Sequence, residues 1–583
     1  MAVNFTTGQL AKLPYLTEGG EATIYTYKNN TLIKIFKPNI DLKRKEAKVR
    51  KILSGKMPSN VYGPIEIVTV NNQFAGYVMK KVENAEVFHQ LVKKKYLKTH
   101  QISNKDVLEL VVDAGKTISA FHKGGGMLGD YNDYNIMMKG NQSCFIDVDS
   151  WGFSSQLSPD AYTEIFMDPK AINANGSISF SLEAEYYNFA VLSFNMLTRM
   201  HPFEGTYKKN EKMTTMERMK NKISVLGNHD ITIPNMIPSW DWMSPKLKQE
   251  YEDIFEKGKR ESVLGSLEEL ADNMEYCKIH QTYYFSKYKE CPLCNAKATV
   301  ATPPVVVQVT TAKKSKLRIA FEATDLRVLL SNKIYVNTNN EVVHIKSKRK
   351  MKLNRGEFVD YTEDGRFAFI IKDNSITIYD EQNKLHSTLE RMYKTPYQVK
   401  GDNLYFIDKT GILAKIQVTS KGNIRVDISH VYQPIFTVAD SGDIFVASFY
   451  PKKAIIRANN YNFEIAYKGK IREYAIKQDP ISKKWLFIYQ LSNGKHRTMI
   501  FGNKGVIEYD EQVIDYTVSP LSNVCFYRDT ICVPQEGNIT MIHYIKNLTK
   551  EIPCTVIKED SKLEYSNGIF EITNDDKIYH FEA

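Results

Sequence analysis

The 583-residue sequence holds no apolar run approaching the ~18 residues that a membrane-spanning helix requires. Its first residues, Met1 to Gly20, have neither the basic start nor the apolar stretch of a secretory signal, so a soluble, cytoplasmic chain is expected. Cysteine is scarce, and the 7 present suit a reducing compartment. Basic charge is in excess but forms no continuous track. The net charge is +11, yet residues 1–100 hold 17 basic and 7 acidic groups, residues 101–300 hold 21 and 27, and residues 301–583 hold 40 and 33. That scatter argues against nucleic acid as a partner, and the reversal of sign after residue 100 suits two facing lobes around a charged ligand.

Apolar and aromatic surface is plentiful. Hydrophobic residues make up 43% of the chain, and 35 Tyr, 28 Phe and 4 Trp supply enough burial to offset the entropy of ordering, which excludes general disorder. At about 150 residues per domain the length predicts three to four folded units. From Leu13 to about Gly55, short alternating apolar segments predict strands leading into a helix over Asp41 to Leu53, and beyond Lys105 helical patterns dominate as far as Met274. Cys277 to Cys294 marks a small unit of its own, and the following stretch to Lys316, rich in Ala, Thr, Pro, Val and Lys, reads as a linker. From Leu317 to Ala583 apolar hairpins recur, starting at residues 332, 365, 402, 442, 483, 523 and 567. A spacing of roughly 40 residues is what a four-stranded propeller blade needs, so seven blades are predicted, with Lys316 to Ser331 available to close the ring against the C-terminus. A β-sandwich array or a β-solenoid is the alternative.

The chemistry concentrates in the first 205 residues. In LTEGGEATIY, Gly19 and Gly20 form a turn whose backbone N–H groups could approach phosphate oxygens without Cβ interference. NTLIKIFK is a strand bearing Lys34, and KRKEAKVRKIL a helix bearing Glu46; such a pair could hold an ammonium group against the α- and β-phosphates of a nucleotide. Alone, the two residues read better as solvent-exposed charges on a charged helix. In MLGDYNDYNIMMKGNQSCFIDVDSWGF, Asp130 precedes Asn135 by five residues and Asp147 follows Asn135 by twelve. This order resembles the catalytic and metal-binding loops of the protein kinase superfamily, HRDxxxxN followed by DFG. LEAEYYNFAVLSFNMLTRMHPFEG is similar to a further segment of that family, with Glu185 in the place of a buried Asp, and GYVMKKVENAE resembles its hinge.

Residues 1–275 therefore resemble a divergent bacterial serine/threonine protein kinase, a two-lobed α+β domain with lobes at about 1–82 and 83–275. The resemblance implies ATP and one or two Mg2+ as cofactors. It implies that Asp130 orients or deprotonates the acceptor hydroxyl, that Lys34 pairs with Glu46, and that Asn135 and Asp147 bind magnesium, with Asp149 a further metal ligand or a turn cap. Gly19 and Gly20 would cover the phosphates; Ile24, Leu32 and Met137 would sandwich adenine, with Met79 as gatekeeper and the backbone from Lys80 to Val82 bonding the base. The departures are Leu128 and Gly129 for the His and Arg of HRD, Asn132 for the catalytic-loop Lys, Thr17 and Ala22 for the outer glycines of GxGxxG, Leu32 for the roof Ala, Val148 and Asp149 after the DFG Asp, and Lys170 for the Glu of APE. Without the HRD Arg, activity independent of activation-loop phosphorylation is expected. A nucleotide-binding pseudokinase scaffold and a small-molecule phosphotransferase are the competing readings.

Cys277, His280, Cys291 and Cys294 form CxxH followed by CPLC, spacing at which two knuckles can share one tetrahedral ion; a structural zinc ribbon is predicted over 276–296, then a linker over 297–316 and an all-β propeller over 317–583. A redox CxxC would leave Cys277 and His280 unexplained. A kinase domain followed by a zinc ribbon resembles bacterial kinases associated with stress-response systems, which implies a von Willebrand A-like protein and a metal-dependent phosphatase as partners. The propeller would dock a protein substrate or regulator.

Overall fold

The computed structural model describes residues 2–210, 213–233, 237–295, 316–354, 356–450, 452–467, 471–491, 496–511, 521–546, 548–566 and 568–582. The chain divides into two units, Met1–Gln308 and Val309–Ala583. The linker expected over 297–316 lies, but for its last residue, outside the described residues.

In the first unit, strands β1 (Ala2–Phe5), β2 (Tyr15–Glu18), β3 (Ala22–Tyr27), β4 (Thr31–Phe36), β5 (Pro64–Val70) and β6 (Gln73–Lys80) form one sheet, ordered β1-β5-β6-β4-β3-β2, with a single turn of helix α1 (Thr7–Leu10) after the first strand. Asn29 and Asn30 turn β3 into β4, and Asn71 and Asn72 turn β5 into β6, all four at positive φ, which asparagine tolerates and which matches the strand twist. Helix α2 (Leu42–Ser54) starts at Asp41, whose carboxylate accepts the Arg44 N–H at 3.1 Å. It packs Val49 against Phe36, Ile67 and Tyr77 of the sheet.

Helices α3 (Lys94–His100), α4 (Asn104–Lys123) and α5 (Leu182–Thr198) follow, with a small sheet of β7 (Glu86–Val87), β8 (Ile136–Lys139) and β9 (Gln142–Phe145). A Ser103–Asp106 capping box starts α4, whose Val107, Val111, Ala114, Ile118 and Phe121 recur at helical spacing on its buried side. Helix α5 is buried along most of its length, which its apolar composition permits. Cys277, Tyr284, Phe285 and Cys291 belong to the same core as these helices. Asn104 bonds both backbone groups of Tyr283, at 2.8 and 2.9 Å, and the Phe285 N–H reaches the Trp242 carbonyl at 3.0 Å. Residues 274–295 are thus seated on the helical part and are not a free-standing knuckle.

Among its described residues the second unit contains seven four-stranded antiparallel sheets, a pattern compatible with propeller-like repeats. Second strands such as Ile334–Asn337 and Trp485–Leu491 are largely buried, while fourth strands such as Leu385–Glu390 and Leu548–Pro553 have no buried residue. Separate apolar clusters join each sheet to the next, and a further one joins Ile578 of the last sheet to Leu329 and Tyr335 of the first. Lys316–Phe321 pairs with Ile578–Glu582, so the first and last strands of the unit share a sheet. The hairpins marked in the sequence fall on second and third strands, except that the one starting at 523 covers three strands, because Arg528 and Asp529 at positive φ make a two-residue turn inside it. Among the described residues, no helix is long and apolar enough to cross a membrane.

Candidate functional site

Lys34 lies in the middle of the first sheet, flanked by Ile24 on β3 and Tyr77 on β6. A Cβ on Gly76 would stand 1.8 Å from the Lys34 carbonyl oxygen, so only glycine lets β6 approach β4 here. The buried Lys34 ammonium pairs with Asp147 and, at 2.6 Å, with Asp149. Asp149 also accepts the Tyr77 hydroxyl at 2.6 Å and Lys45 of α2 at 3.2 Å. Lys45 continues to Glu21 at 2.8 Å and Asp160 at 3.3 Å; Lys48 reaches Asp160 at 2.8 Å, and Arg44 reaches it at 2.7 Å. The basic face of α2 therefore grips the acidic segment 147–160, and Arg44 adds bonds to the Gln156 and Ser158 carbonyls at 3.1 and 2.8 Å.

Burial works to discharge Lys34, but the Asp147 and Asp149 carboxylates outweigh it and hold the ammonium pKa well above its ordinary value. Burial likewise pushes Asp149 up, and Lys34 and Lys45 overcome it to hold the carboxyl far below the usual range. Lys48 has fewer carboxylates beside it, and burial lowers it to about 8.

Two expectations are corrected. Glu46 does not meet Lys34: it pairs with Arg50 at 2.6 Å on the outer side of α2. Lys45, Lys48, Val49 and Ile52 are the buried residues of that helix, at i, i+3, i+4 and i+7, so its stripe already points Lys45 inward and Glu46 about 100° away. Asp149 is not free for a metal, since both oxygens are taken by Lys34, Tyr77 and Lys45 and its side chain is 0% exposed. Asp147, with φ of 62°, is also paired with Lys34 but has a side chain 45% exposed.

Asp130 and Asn135 are brought together: the Asn135 amide donates to Asp130 at 2.9 Å, and the Asn135 carbonyl accepts the Ile146 N–H at 3.0 Å, next to Asp147. Thr163 donates to the other Asp130 oxygen at 2.7 Å and accepts from Asn132 at 3.1 Å. Sequence reading missed Thr163, which carries no local motif and reaches the site across 33 residues. Glu185, at the start of α5, accepts the Leu128 and Gly129 N–H groups at 2.8 Å each, the Tyr131 hydroxyl at 3.1 Å and His122 at 2.9 Å, fixing the turn that presents Asp130. Asp168 makes a buried two-point pair with Arg260, at 2.5 and 2.7 Å, a contact no sequence signal announced because the residues lie 92 apart.

Leu32 is paired with Met79 across β4 and β6. Met137 is buried with Ala85 and Cys144, against Val82. Lys80 is exposed at the end of β6; the Lys81 N–H is committed to the Asn30 carbonyl at 3.1 Å, whereas the Val82 N–H has no backbone partner among the described residues. Gly19 and Gly20 are exposed, and a Cβ on either would meet nothing within 4 Å.

Cys277, His280, Cys291 and Cys294 converge, their ligand atoms all within 4.8 Å of one another. Cys277 Sγ is 3.8 Å from Cys294 Sγ and 3.6 Å from His280 Nδ1, and Cys294 Sγ is 3.4 Å from the same nitrogen. Thiolates and imidazole around one tetrahedral zinc stand about 3.5–3.8 Å apart, so the donor set fits that ion. The His280 backbone N–H directed at its sulfur, outweighing burial, lowers the Cys277 thiol to about 6, while burial and the neighbouring thiols push Cys294 up to about 11. The other four cysteines are buried and unbridged, with Cys525 opposite Cys532 across a strand pair. No family model matches this chain, and no curated protein matches it either.

Proposed function

We propose that the chain is an ATP- and Mg2+-dependent protein serine/threonine kinase. Residues 1–275 would be its two-lobed catalytic domain, residues 276–296 a zinc-stabilised knuckle, and the seven sheets after residue 316 the blades of a propeller that docks a protein substrate or regulator. The observation that carries the reading is the meeting of Lys34 and Asp147 beside the hydrogen-bonded Asp130–Asn135 pair, residues distant in sequence and of the types phosphoryl transfer requires.

Asp147 and the Asn135 side-chain oxygen would hold magnesium, which supplies positive charge to the phosphates. At an effective dielectric near 20, each like-charge pair at ~4 Å costs about 4 kcal/mol, so a polyphosphate needs both that charge and Lys34. Ile24, Leu32 and Met137 would pack the base, and the Val82 amide would bond its edge. Asp130 would accept the proton of the attacking hydroxyl, and Thr163 keeps its carboxylate aimed. The grip of Arg44 and Lys48 on the segment at Asp160 supports activity without activation-loop phosphorylation, since a built-in carboxylate already anchors that segment. A von Willebrand A-like protein and a metal-dependent phosphatase are the partners that the family resemblance suggests.

A scaffold that binds nucleotide without transferring phosphate is the second reading, favoured by Asn132, a neutral side chain bonded to Thr163 where a catalytic lysine is expected. Titration with a fluorescent ATP analogue tests what both readings share. Binding is expected in wild type and weakened about tenfold or more by Lys34→Met, in line with one lost charge-assisted contact. Absence of binding in wild type would end both.

A further inference from the structure

We propose that Asp149 is the residue that positions Lys34 against the nucleotide phosphates, a task neither the helix carboxylate Glu46 nor a second metal performs; this rests on the kinase reading above. Asp149 is saturated. One of its oxygens takes Lys34 and Tyr77 at 2.6 Å each, and the other takes Lys45 at 3.2 Å. A metal ion would have to displace a buried ammonium or hydroxyl from it. Glu46 is spent on Arg50, and Lys45 fills the inward position of α2 from which a helix carboxylate would reach Lys34. The carboxylate that holds the lysine thus comes from the segment 147–149, and the helix supplies a second cation in its stead.

The two carboxylates beside Lys34 divide the work by exposure. Asp147 is 45% exposed, so it can turn to a metal and leave Lys34 with one oxygen. Asp149 is fully enclosed and cannot follow, so Lys34 stays tethered when Asp147 is drawn away. One further consequence is that Lys34 needs no inward movement of a helix glutamate to be set.

The test uses full-length protein and three variants: Asp149→Asn, Asp149→Gly, and Asp149→Gly combined with Lys45→Glu, which returns a carboxylate to the inward face of α2. Two quantities are measured, affinity for a fluorescent ATP analogue without metal and the magnesium concentration that half-saturates phosphate transfer. Asp149→Asn and Asp149→Gly are expected to weaken metal-free binding by about tenfold to a hundredfold, the value of a charge-assisted contact, with the magnesium requirement changed less than about twofold. The double variant is expected to recover at least about half of that loss on the logarithmic scale, which a merely structural role for Asp149 would not allow. Unchanged metal-free binding with a magnesium requirement raised tenfold would overturn the proposal in favour of a metal ligand. So would a folded double variant, with wild-type melting behaviour, that recovers nothing. If Asp149→Asn does not fold, the comparison of Asp149→Gly with the double variant decides alone. Wild type that binds no nucleotide would instead bring down the kinase reading itself and this proposal with it.

Discussion

Buried charge around Lys34 is held differently from the buried carboxylates in the turns of the second unit. In the first unit, Lys34, Lys45 and Lys48 face Asp149 and Asp160 across the space between sheet and helices, so buried charge meets buried charge. In the second, the buried carboxylates Asp408 and Asp479 close turns: Asp408 accepts the Thr410 and Ile412 N–H groups at 2.9 and 3.0 Å while its other oxygen pairs with the more exposed Arg425 at 2.5 Å, and Asp479 accepts the Ile481 N–H and the Ser482 hydroxyl at 3.0 and 2.7 Å. The strands between those turns are apolar, with Trp485, Phe487 and Ile488 fully enclosed. A carboxylate that satisfies backbone donors is architecture. A buried lysine that shares its charge between the enclosed Asp149 and the 45% exposed Asp147 is a place where a polyanion can replace part of the balance.

This contrast is open to mutation, and the largest effects are expected where a buried network loses its hub. Glu185→Ala leaves two backbone N–H groups, a tyrosine hydroxyl and His122 without their acceptor, at a cost of about 3–5 kcal/mol, and is expected to abolish any activity that depends on Asp130; chemical denaturation of residues 1–275 within the intact chain checks it. Trp485→Ala opens a cavity costing about 3–5 kcal/mol in the second unit while leaving nucleotide affinity within about twofold of wild type, read by two-transition calorimetry and analogue binding. Equal loss in both units would break the distinction between them.

Acid should act first on charge pairs. Asp149 has a native pKa held below its unfolded value, so its contribution is present above about pH 4 and is lost progressively as pH falls below that. Asp149→Asn is therefore expected to flatten the stability of the first unit between pH 4 and pH 2, in melting curves taken across that range. The smallest effect belongs to Glu46→Gln, which removes a surface i,i+4 pair worth about 0.3–0.5 kcal/mol and is expected to change phosphate transfer by less than about twofold.

The repeat of the second unit was legible because each hairpin carries its own alternation, and local pattern suffices for local pairing. The four zinc-type ligands were legible for the same reason, two short spacings being enough to bring Cys277, His280, Cys291 and Cys294 together. Glu185 was found through the apolar segment around it, and the structure gives it a fully buried role. What escaped depends on side-chain direction or on long range. Glu46 and Lys45 are adjacent, and only the helix stripe distinguishes which one faces the sheet. Thr163, Asp160 and the Asp168–Arg260 pair reach their partners through tertiary packing that no local spacing encodes.

The central claim is that the Lys34, Asp130, Asn135 and Asp147 site of the first unit transfers phosphate. Its most direct measurement is incubation of the full-length protein with magnesium and γ-labelled ATP, comparing wild type with Asp130→Ala and Asp147→Ala. Label on the protein or an added partner in wild type, lost by at least about a hundredfold in both variants while Asp130→Ala still binds the ATP analogue, is the expected result. Transfer that survives both substitutions, or nucleotide binding in wild type with no transfer to itself or to any of a broad panel of proteins, would contradict it.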